Sequence, residues 1–273
     1  MPLISLTTDF GLKDGYTGVL KGVIWGICPE AQIADISHAI TPQDVLEGAF
    51  VLWRAYPFFP ENTIHVAVVD PGVGTRRRPI AARIGKYFFI GPDNGLFTPV
   101  MEDAEKNRWQ MEFVHLTNAK YWLPDVSHTF HGRDIFAPVA AHLAKGVLLA
   151  EVGVPISDPL RLEMPKPVRT KDGWRAQITV IDVFGNLTTN LPAAFLADAG
   201  EVIFRLRGRE VRGLVKSYGH HSSGELIALV DSEDFIEIAV VNGSAAQVIG
   251  ARVGNLVEVI LYTDGTDFTD SHG

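Results

Sequence analysis

Apolar positions recur at two different spacings along the chain, and the change in spacing divides it. In the first half, short β-type runs alternate with segments of helical period. LISLTTDF (3–10) is strand-like and ends in polar residues, and GVLKGVIWGIC (18–28) keeps helical spacing until Pro29. AQIADIS (31–37) reads as a second strand. TPQDVLEGAFVLWRAY (41–56) reads as a helix, with Thr41 as N-cap, Pro42 at the first helical position and Asp44 three residues after the cap. TIHVAVVD (63–70) is a buried strand, followed by the strand-like IAARIG (80–85) and YFFIGPD (87–93), and FAPVAAHLAKGV (136–147) is a further helix. Alternation of this kind predicts an α/β domain with a largely parallel sheet.

The proline-rich VGVPISDPLRLEMPKPVRT (152–170) has no sustained period and reads as a connection. After it the helix signal nearly disappears. WRAQITVID, EVIFRLRG, ELIALVDS, FIEIAVV and NLVEVILY are strands separated by turn residues, as in a small β-barrel or sandwich. The pattern therefore predicts an α/β N-terminal domain over 1–155, a linker over 156–170 and an all-β, barrel-like C-terminal domain over 171–273. The closing TDGTDFTDSHG (263–273) is polar and reads as a frayed end.

Composition narrows the function classes. The 273 residues are 47% hydrophobic and 21% charged, enough for a substantial core, and the net charge of −8 gives no sign of a nucleic-acid or membrane surface. Cys28 is the only cysteine, so an intramolecular disulfide and a cysteine metal cluster are excluded. The opening MPLISLTTDF lacks a basic region and a long apolar core, and no window offers the roughly 18 apolar residues of a membrane span. These features predict a soluble, cytoplasmic protein.

Candidate chemistry begins at strand ends, where open α/β sheets bind ligands. Asp9, Asp70 and Asp93 each follow a strand-like run. Each has an ordinary explanation as a turn residue, but three together would converge on one sheet edge. An aspartate there can accept both hydroxyls of a ribose diol. No GxxxxGK[ST] is present, and the Gly-x-Gly of PGVGT lacks a third glycine, so a phosphate cradle is not indicated. In VVDPGVGTRRRPI (68–80), Asp70 stands beside Arg76, Arg77 and Arg78. Either these charges form a solvated turn, or an Asp–Arg pair sits where something reacts.

A second cluster is SHTFHGRDIF (127–136), with His128, His131 and Asp134 at spacings of three. It admits a metal site on one helix face, a general-base histidine at a helix entrance, or a capped turn with a structural histidine. The pair in GHHSSGE (219–225) reads as exposed. In IDVFGNLTTNL (181–191), Asp182, Phe184 and Asn186 alternate, so an extended segment would place a carboxylate, a flat ring and an amide on one face. Such a face suits an ammonium, an aromatic base and that base's polar edge. The alternative is a solvent-facing turn around Gly185.

Taken in order, TTDFG, VVDPGVGTRRRPI, PDNGL, TFHGRDIFAP, IDVFGN and NGSAA resemble the S-adenosyl-L-methionine hydroxide adenosyltransferases, relatives of the fluorinases and chlorinases, over about residues 3 to 262. The resemblance implies hydrolysis of S-adenosyl-L-methionine to adenosine and L-methionine. It further implies a homotrimer whose sites lie between the N-domain of one subunit and the C-domain of the next. By similarity the catalytic set is Asp70, Arg77 and His131. Asp9 would hold the ribose hydroxyls, with Thr129 and Phe130 nearby. Asp14, Asp182 and Ser232 would bind the methionine portion, and Phe184, Asn186 and the backbone near Asn242 would hold adenine. The halogenating relatives replace the DPGVG aspartate and the HGRD histidine, and both remain here, which favours hydroxide over halide. No metal or other cofactor is expected, because the sulfonium is already a good leaving group. Two alternatives remain open at this point: a nucleoside-binding module without turnover, and a halide-using adenosyltransferase.

Overall fold

The computed structural model describes residues 1–197 and 199–262, so the polar end at 263–273 lies outside the described residues. The chain divides into two compact units, Met1–Met164 and Pro165–Gly273. Among the described residues no helix is long and apolar enough to cross a membrane.

The first unit is a seven-stranded sheet with helices on both faces. Its strands are β1 (Leu3–Thr8), β2 (Gln32–Ser37), β3 (Ile64–Val68), β4 (Pro79–Ile84), β5 (Tyr87–Pro92), β6 (Met111–Leu116) and β7 (Gly153–Ile156), in the order β2-β1-β3-β5-β4-β6-β7. The helices are α1 (Tyr16–Ile27), α2 (Val45–Ala55), α3 (Thr98–Asn107) and α4 (Ala137–Ala144). Side chains of β3 alternate between two cores. Ile64, Val66 and Val68 join Leu20 and Ile24 of α1 and Val139 and Leu143 of α4, while Ala67 and the following Val69 join Leu52 of α2 and Val100 of α3. A strand covered on both faces is buried throughout and mostly apolar, which is why TIHVAVV reads as a nearly continuous run.

The sheet is mixed rather than largely parallel. β2, β1, β3 and β5 are parallel neighbours, but β4 is antiparallel to both β5 and β6, and β7 is antiparallel to β6. Only Gly85 and Lys86 separate Ile84 from its partner Tyr87. A two-residue connection permits a hairpin but no crossover, so it forces the antiparallel pairing. β7 begins in the proline-rich 152–170 stretch, and only its last residue, Ile156, falls in the expected linker.

Helix α2 also begins later than expected. Its N-cap is Asp44, whose side chain accepts from the Glu47 amide at 2.9 Å, rather than Thr41. Gln43 adopts a left-handed φ of 68°, which breaks any helix from Thr41 and turns its amide onto Asp9.

The second unit contains β8 (Val168–Arg169), β9 (Gly173–Ile181), β10 (Leu187–Pro192), β11 (Glu201–Leu206), β12 (Arg209–Arg212), β13 (Leu226–Val230), β14 (Phe235–Val240) and β15 (Leu256–Tyr262), with α5 (Ala245–Ile249) before the last. Its strands run β12-β11-β15-β9-β10-β14-β13, all neighbours antiparallel, with β8 on β9. A bridge from Val215 to Leu229 brings the chain beyond β12 to the opposite edge strand β13, so the sheet nearly closes. Ile178, Leu187, Phe204, Ile236, Ile238 and Val257 fill its interior.

Candidate active site

Asp70 lies two residues beyond β3 and opens a tight loop in which Thr75 Oγ1 donates to the Gly72 carbonyl at 2.7 Å. Gly74 has a φ of 75°, and a Cβ there would collide with the His128 carbonyl. The glycine thus permits the DPGVG loop to lie against the 127–131 loop, and this close approach joins two clusters that are far apart in sequence.

At that contact Arg77 Nε donates to Asp70 Oδ1 at 2.9 Å and Oδ2 at 3.0 Å, and Nη2 also reaches Oδ2. Nη2 lies 2.8 Å from His131 Nδ1. The side chains of Arg77 and Asp70 are 8% and 6% exposed, and the guanidinium carbon sits 5.3 Å from the centre of the Phe136 ring. Arg77 Nη1 is buried without a hydrogen-bond partner. The triplet is resolved by geometry. Arg78 instead donates to Asp93 and Asp158, each at 2.8 Å, and Arg76 is exposed.

Asp93 therefore does not join a common carboxylate edge. It is buried, and it accepts from Arg78 and from the Leu160 amide at 2.8 Å, tying the 158–160 segment to the sheet.

His131 enters a single π-helical turn, Gly132–Phe136, that leads into α4. Burial lowers its pKa and the nearby Arg77 charge lowers it further, against the opposite pull of Asp70 and Asp134. Its ring is therefore neutral at pH 7. A guanidinium can only donate, so Nδ1 accepts from Arg77 and the proton is assigned to Nε2. Asp134, fully buried, accepts from the Ser127 amide at 2.8 Å and from Arg133 Nε at 2.6 Å, and so braces the same turn. His128, His131 and Asp134 do not assemble into a metal site, and among the described residues no group of three such side chains does.

Beside this set, Phe10, Tyr16, Ser127, Thr129, Phe130 and Arg133 line a cavity of about 470 Å³. Phe10, Tyr16 and Phe130 meet edge to face at centroid distances of 5.2–6.2 Å. Asp9 Oδ2 accepts from the Gln43 amide at 2.8 Å, and Asp14 is exposed in the loop that enters α1.

In the second unit Asp182, Phe184, Asn186 and Asn242 line one cavity of about 550 Å³, together with Tyr218, Glu237, Val240 and Gly243. The segment 182–186 is a tight turn, not the extended strand expected. Asp182 Oδ1 accepts from the amides of Phe184 and Asn186 at 2.9 and 2.8 Å, and Oδ2 accepts from Asn186 Nδ2 at 2.9 Å. An Asp two residues before a Phe-Gly step closes its own turn in this way more readily than it extends. Gly185, at a φ of 85°, could carry no Cβ without striking Ser244, and its carbonyl accepts from the Ala246 amide at 2.9 Å. That contact sets the turn against the Asn242 loop. Ser232 is not in this lining; it is exposed and donates to Glu233 at 3.0 Å. Of the His pair, His220 is exposed, whereas His221 is half-buried with Nδ1 2.9 Å from Glu225.

Fold and site define a class: an α/β unit bearing a buried carboxylate–guanidinium–imidazole set, followed by a nearly closed antiparallel β unit. Residues 4–153 match the SAM hydroxide adenosyltransferase N-terminal domain, and residues 176–258 match the corresponding C-terminal domain. The chain is 40% identical to the (R)-S-adenosyl-L-methionine hydrolase of Salinispora tropica, over 94% of this chain and 97% of that protein. Identity to a fluorinase of an Actinoplanes species is 34%, covering 73% of this chain and 74% of the fluorinase. A crystal structure of an uncharacterized conserved protein from Thermotoga maritima superposes with a TM-score of 0.86 at 39% identity, covering 94% of this chain and 99% of the other. The chain belongs to the SAM hydroxide adenosyltransferase family.

Proposed function

We propose that this protein hydrolyses S-adenosyl-L-methionine to adenosine and L-methionine, by attack of an activated water on C5′. The observation that carries the reading is the buried Arg77, held on Asp70 and His131 with Nη1 unpartnered. An orphaned buried donor is costly unless a ligand oxygen completes it. The names of the hydrolase relatives support the substrate.

The water oxygen bonds to C5′ as the C5′–S bond breaks, and its electron pair leaves with sulfur as the methionine thioether. Arg77 Nη1 is the donor suited to the oxygen as it sheds a proton. His131 has no free lone pair while Arg77 occupies Nδ1. Asp70 keeps lone pairs beyond its bonds to Arg77, so the released proton goes to Asp70. No metal or redox cofactor enters these steps.

The same reading includes the ribose hydroxyls on Asp9, the methionine portion near Asp14 and Asp182, and adenine in the Phe184–Asn186–Asn242 cavity, with Thr129 and Phe130 beside the reacting carbon. It also includes a cytoplasmic homotrimer in which a neighbouring subunit completes the site. Purified protein incubated with S-adenosyl-L-methionine in ¹⁸O-water, with chelator present, should release adenosine carrying the label at its 5′-oxygen. Unlabelled adenosine, or no adenosine, refutes the reaction; activity lost to chelator and restored by zinc refutes its metal independence.

A further inference from the structure

Glu237 is a carboxylate in the middle of a strand, only 7% exposed, on β14. Its neighbours Ile236 and Ile238 point into the barrel-like core, so alternation sends Glu237 to the opposite face, toward the cavity it lines. Burying a carboxylate is costly unless it is hydrogen-bonded. Tyr218, in the short turn Tyr218–His220 and lining the same cavity, donates its hydroxyl to Glu237 Oε1. Burial raises the Tyr218 pKa, and Glu237, Asp182 and Asp231 raise it further, so Tyr218 remains a phenol and a donor across the physiological range.

The turn that carries Tyr218 belongs to a loop of Ser, Gly and His residues, SYGHHSSGE, with few apolar groups to pin it. Tyr218 is 39% exposed, while Phe184, on the hydrogen-bonded turn that lines the same cavity, is 73% exposed. Two rings, an Asn186 amide fixed by Asp182 and the Asn242 amide make a lining suited to a planar heterocycle with polar edges.

We propose that Glu237 is a positioning residue for this cavity: through the Tyr218 hydroxyl it holds the tyrosine ring as a wall for the base, and so sets the affinity for the adenosyl group without touching the reacting atoms. The inference rests on the hydrolase reading above, which supplies the ligand.

The test compares Tyr218→Phe, Glu237→Ala, Glu237→Gln and the double variant Tyr218→Phe/Glu237→Ala. Each is assayed for hydrolysis of S-adenosyl-L-methionine and for adenosine binding by calorimetry, with thermal melts alongside. Losing one hydrogen bond to a charged group should raise KM and the adenosine Kd about tenfold in Tyr218→Phe and in Glu237→Ala, with kcat within about twofold. Glu237→Gln keeps an oxygen that accepts the hydroxyl and should stay within about threefold of the parent. The double variant should be no weaker than Glu237→Ala alone, because that variant already removes the Tyr218 contact. KM and Kd unchanged in Tyr218→Phe, or Gln as damaging as Ala, overturns the inference. Tyr218→Phe removes a single oxygen, so it carries the test even if Glu237→Ala does not fold. If the parent protein turns over substrate and the variants match it, only this inference falls. A parent that neither binds adenosine nor hydrolyses substrate removes the hydrolase reading as well.

Discussion

Replacing Arg77 by lysine tests the site where it is most specific. The ammonium keeps the positive charge and can still pair with Asp70, but it is a single point of charge. It cannot reproduce the fork that spans both Asp70 oxygens, at 2.9 and 3.0 Å, and His131 Nδ1, at 2.8 Å, while leaving Nη1 for a ligand oxygen. The stacking on Phe136 is lost as well. Removing one preorganised donor from a developing oxyanion typically costs about 2.7–4 kcal/mol, or about 10²–10³ in kcat. Because on the proposed function this donor serves the nucleophile and not the substrate, KM should move by less than about threefold. The assay is initial-rate release of adenosine, followed by chromatography over a range of substrate concentrations at neutral pH, with a thermal melt to exclude unfolding. Full turnover in a folded Arg77→Lys protein would refute the role, and so would a defect carried by KM alone, since that would place Arg77 on the substrate.

Three further outcomes follow from the same geometry. Asp9→Ala should raise KM about tenfold or more with little change in kcat, because on the proposed function it removes a ground-state contact to the ribose; a fall in kcat at constant KM would exclude the diol role. His65 is fully buried, bonded through Nδ1 to Ser5 at 2.7 Å, and burial lowers its pKa to about 3. The folded value lies below the unfolded one, so this stability is complete above about pH 6.5 and is lost as pH falls toward 3, by at most about 5 kcal/mol; urea titrations of His65→Gln should show a flatter acid limb, and an unchanged limb would exclude His65 as its source. Asp70→Asn should cut kcat by about 10²–10⁴ and make chloride an inhibitor, both read from adenosine release with and without added salt; full activity, or indifference to chloride, would contradict the charge balance argued for the site.

The elements that could be read in advance are those whose residues answer to their own neighbours. Strands such as LISLTT and TIHVAV bury nearly every residue, and α4 is apolar and buried nearly all round. The helix start at Asp44 was hidden because Thr41–Pro42 is an equally good local signal, and only the tertiary bond from the Gln43 amide to Asp9 decides between them. The mixed character of the sheet depends on one two-residue turn, a detail that strand periodicity does not carry. At the site, Asp70 and His131 stood out by type, but the choice of Arg77 from three arginines depends on Asp93 and Asp158 claiming Arg78. Tyr218 and Glu237 gave a weaker signal still. A tyrosine in a polar loop and a lone glutamate in an apolar strand become informative only when the fold brings their side chains together.

The charge balance of the buried set bears on which nucleophile it accepts. Asp70 and Arg77 are both largely removed from solvent and sum to zero, and His131 is held neutral beside them. An anion approaching Arg77 Nη1 therefore meets an attractive guanidinium and, on the far side of the same group, a repulsive carboxylate. At an effective dielectric of 20, a unit charge at 4 Å acts with about 4 kcal/mol and one at twice that distance with about 2 kcal/mol, so the carboxylate offsets about half of the attraction and leaves less to set against the cost of stripping water from a halide. Neutral water incurs no such cost. On the proposed function it uses the Arg77 Nη1 donor, and Asp70 takes up the proton that a halide never has to lose. On that proposal the carboxylate serves twice: it weakens the site for anions, and it receives the proton from water.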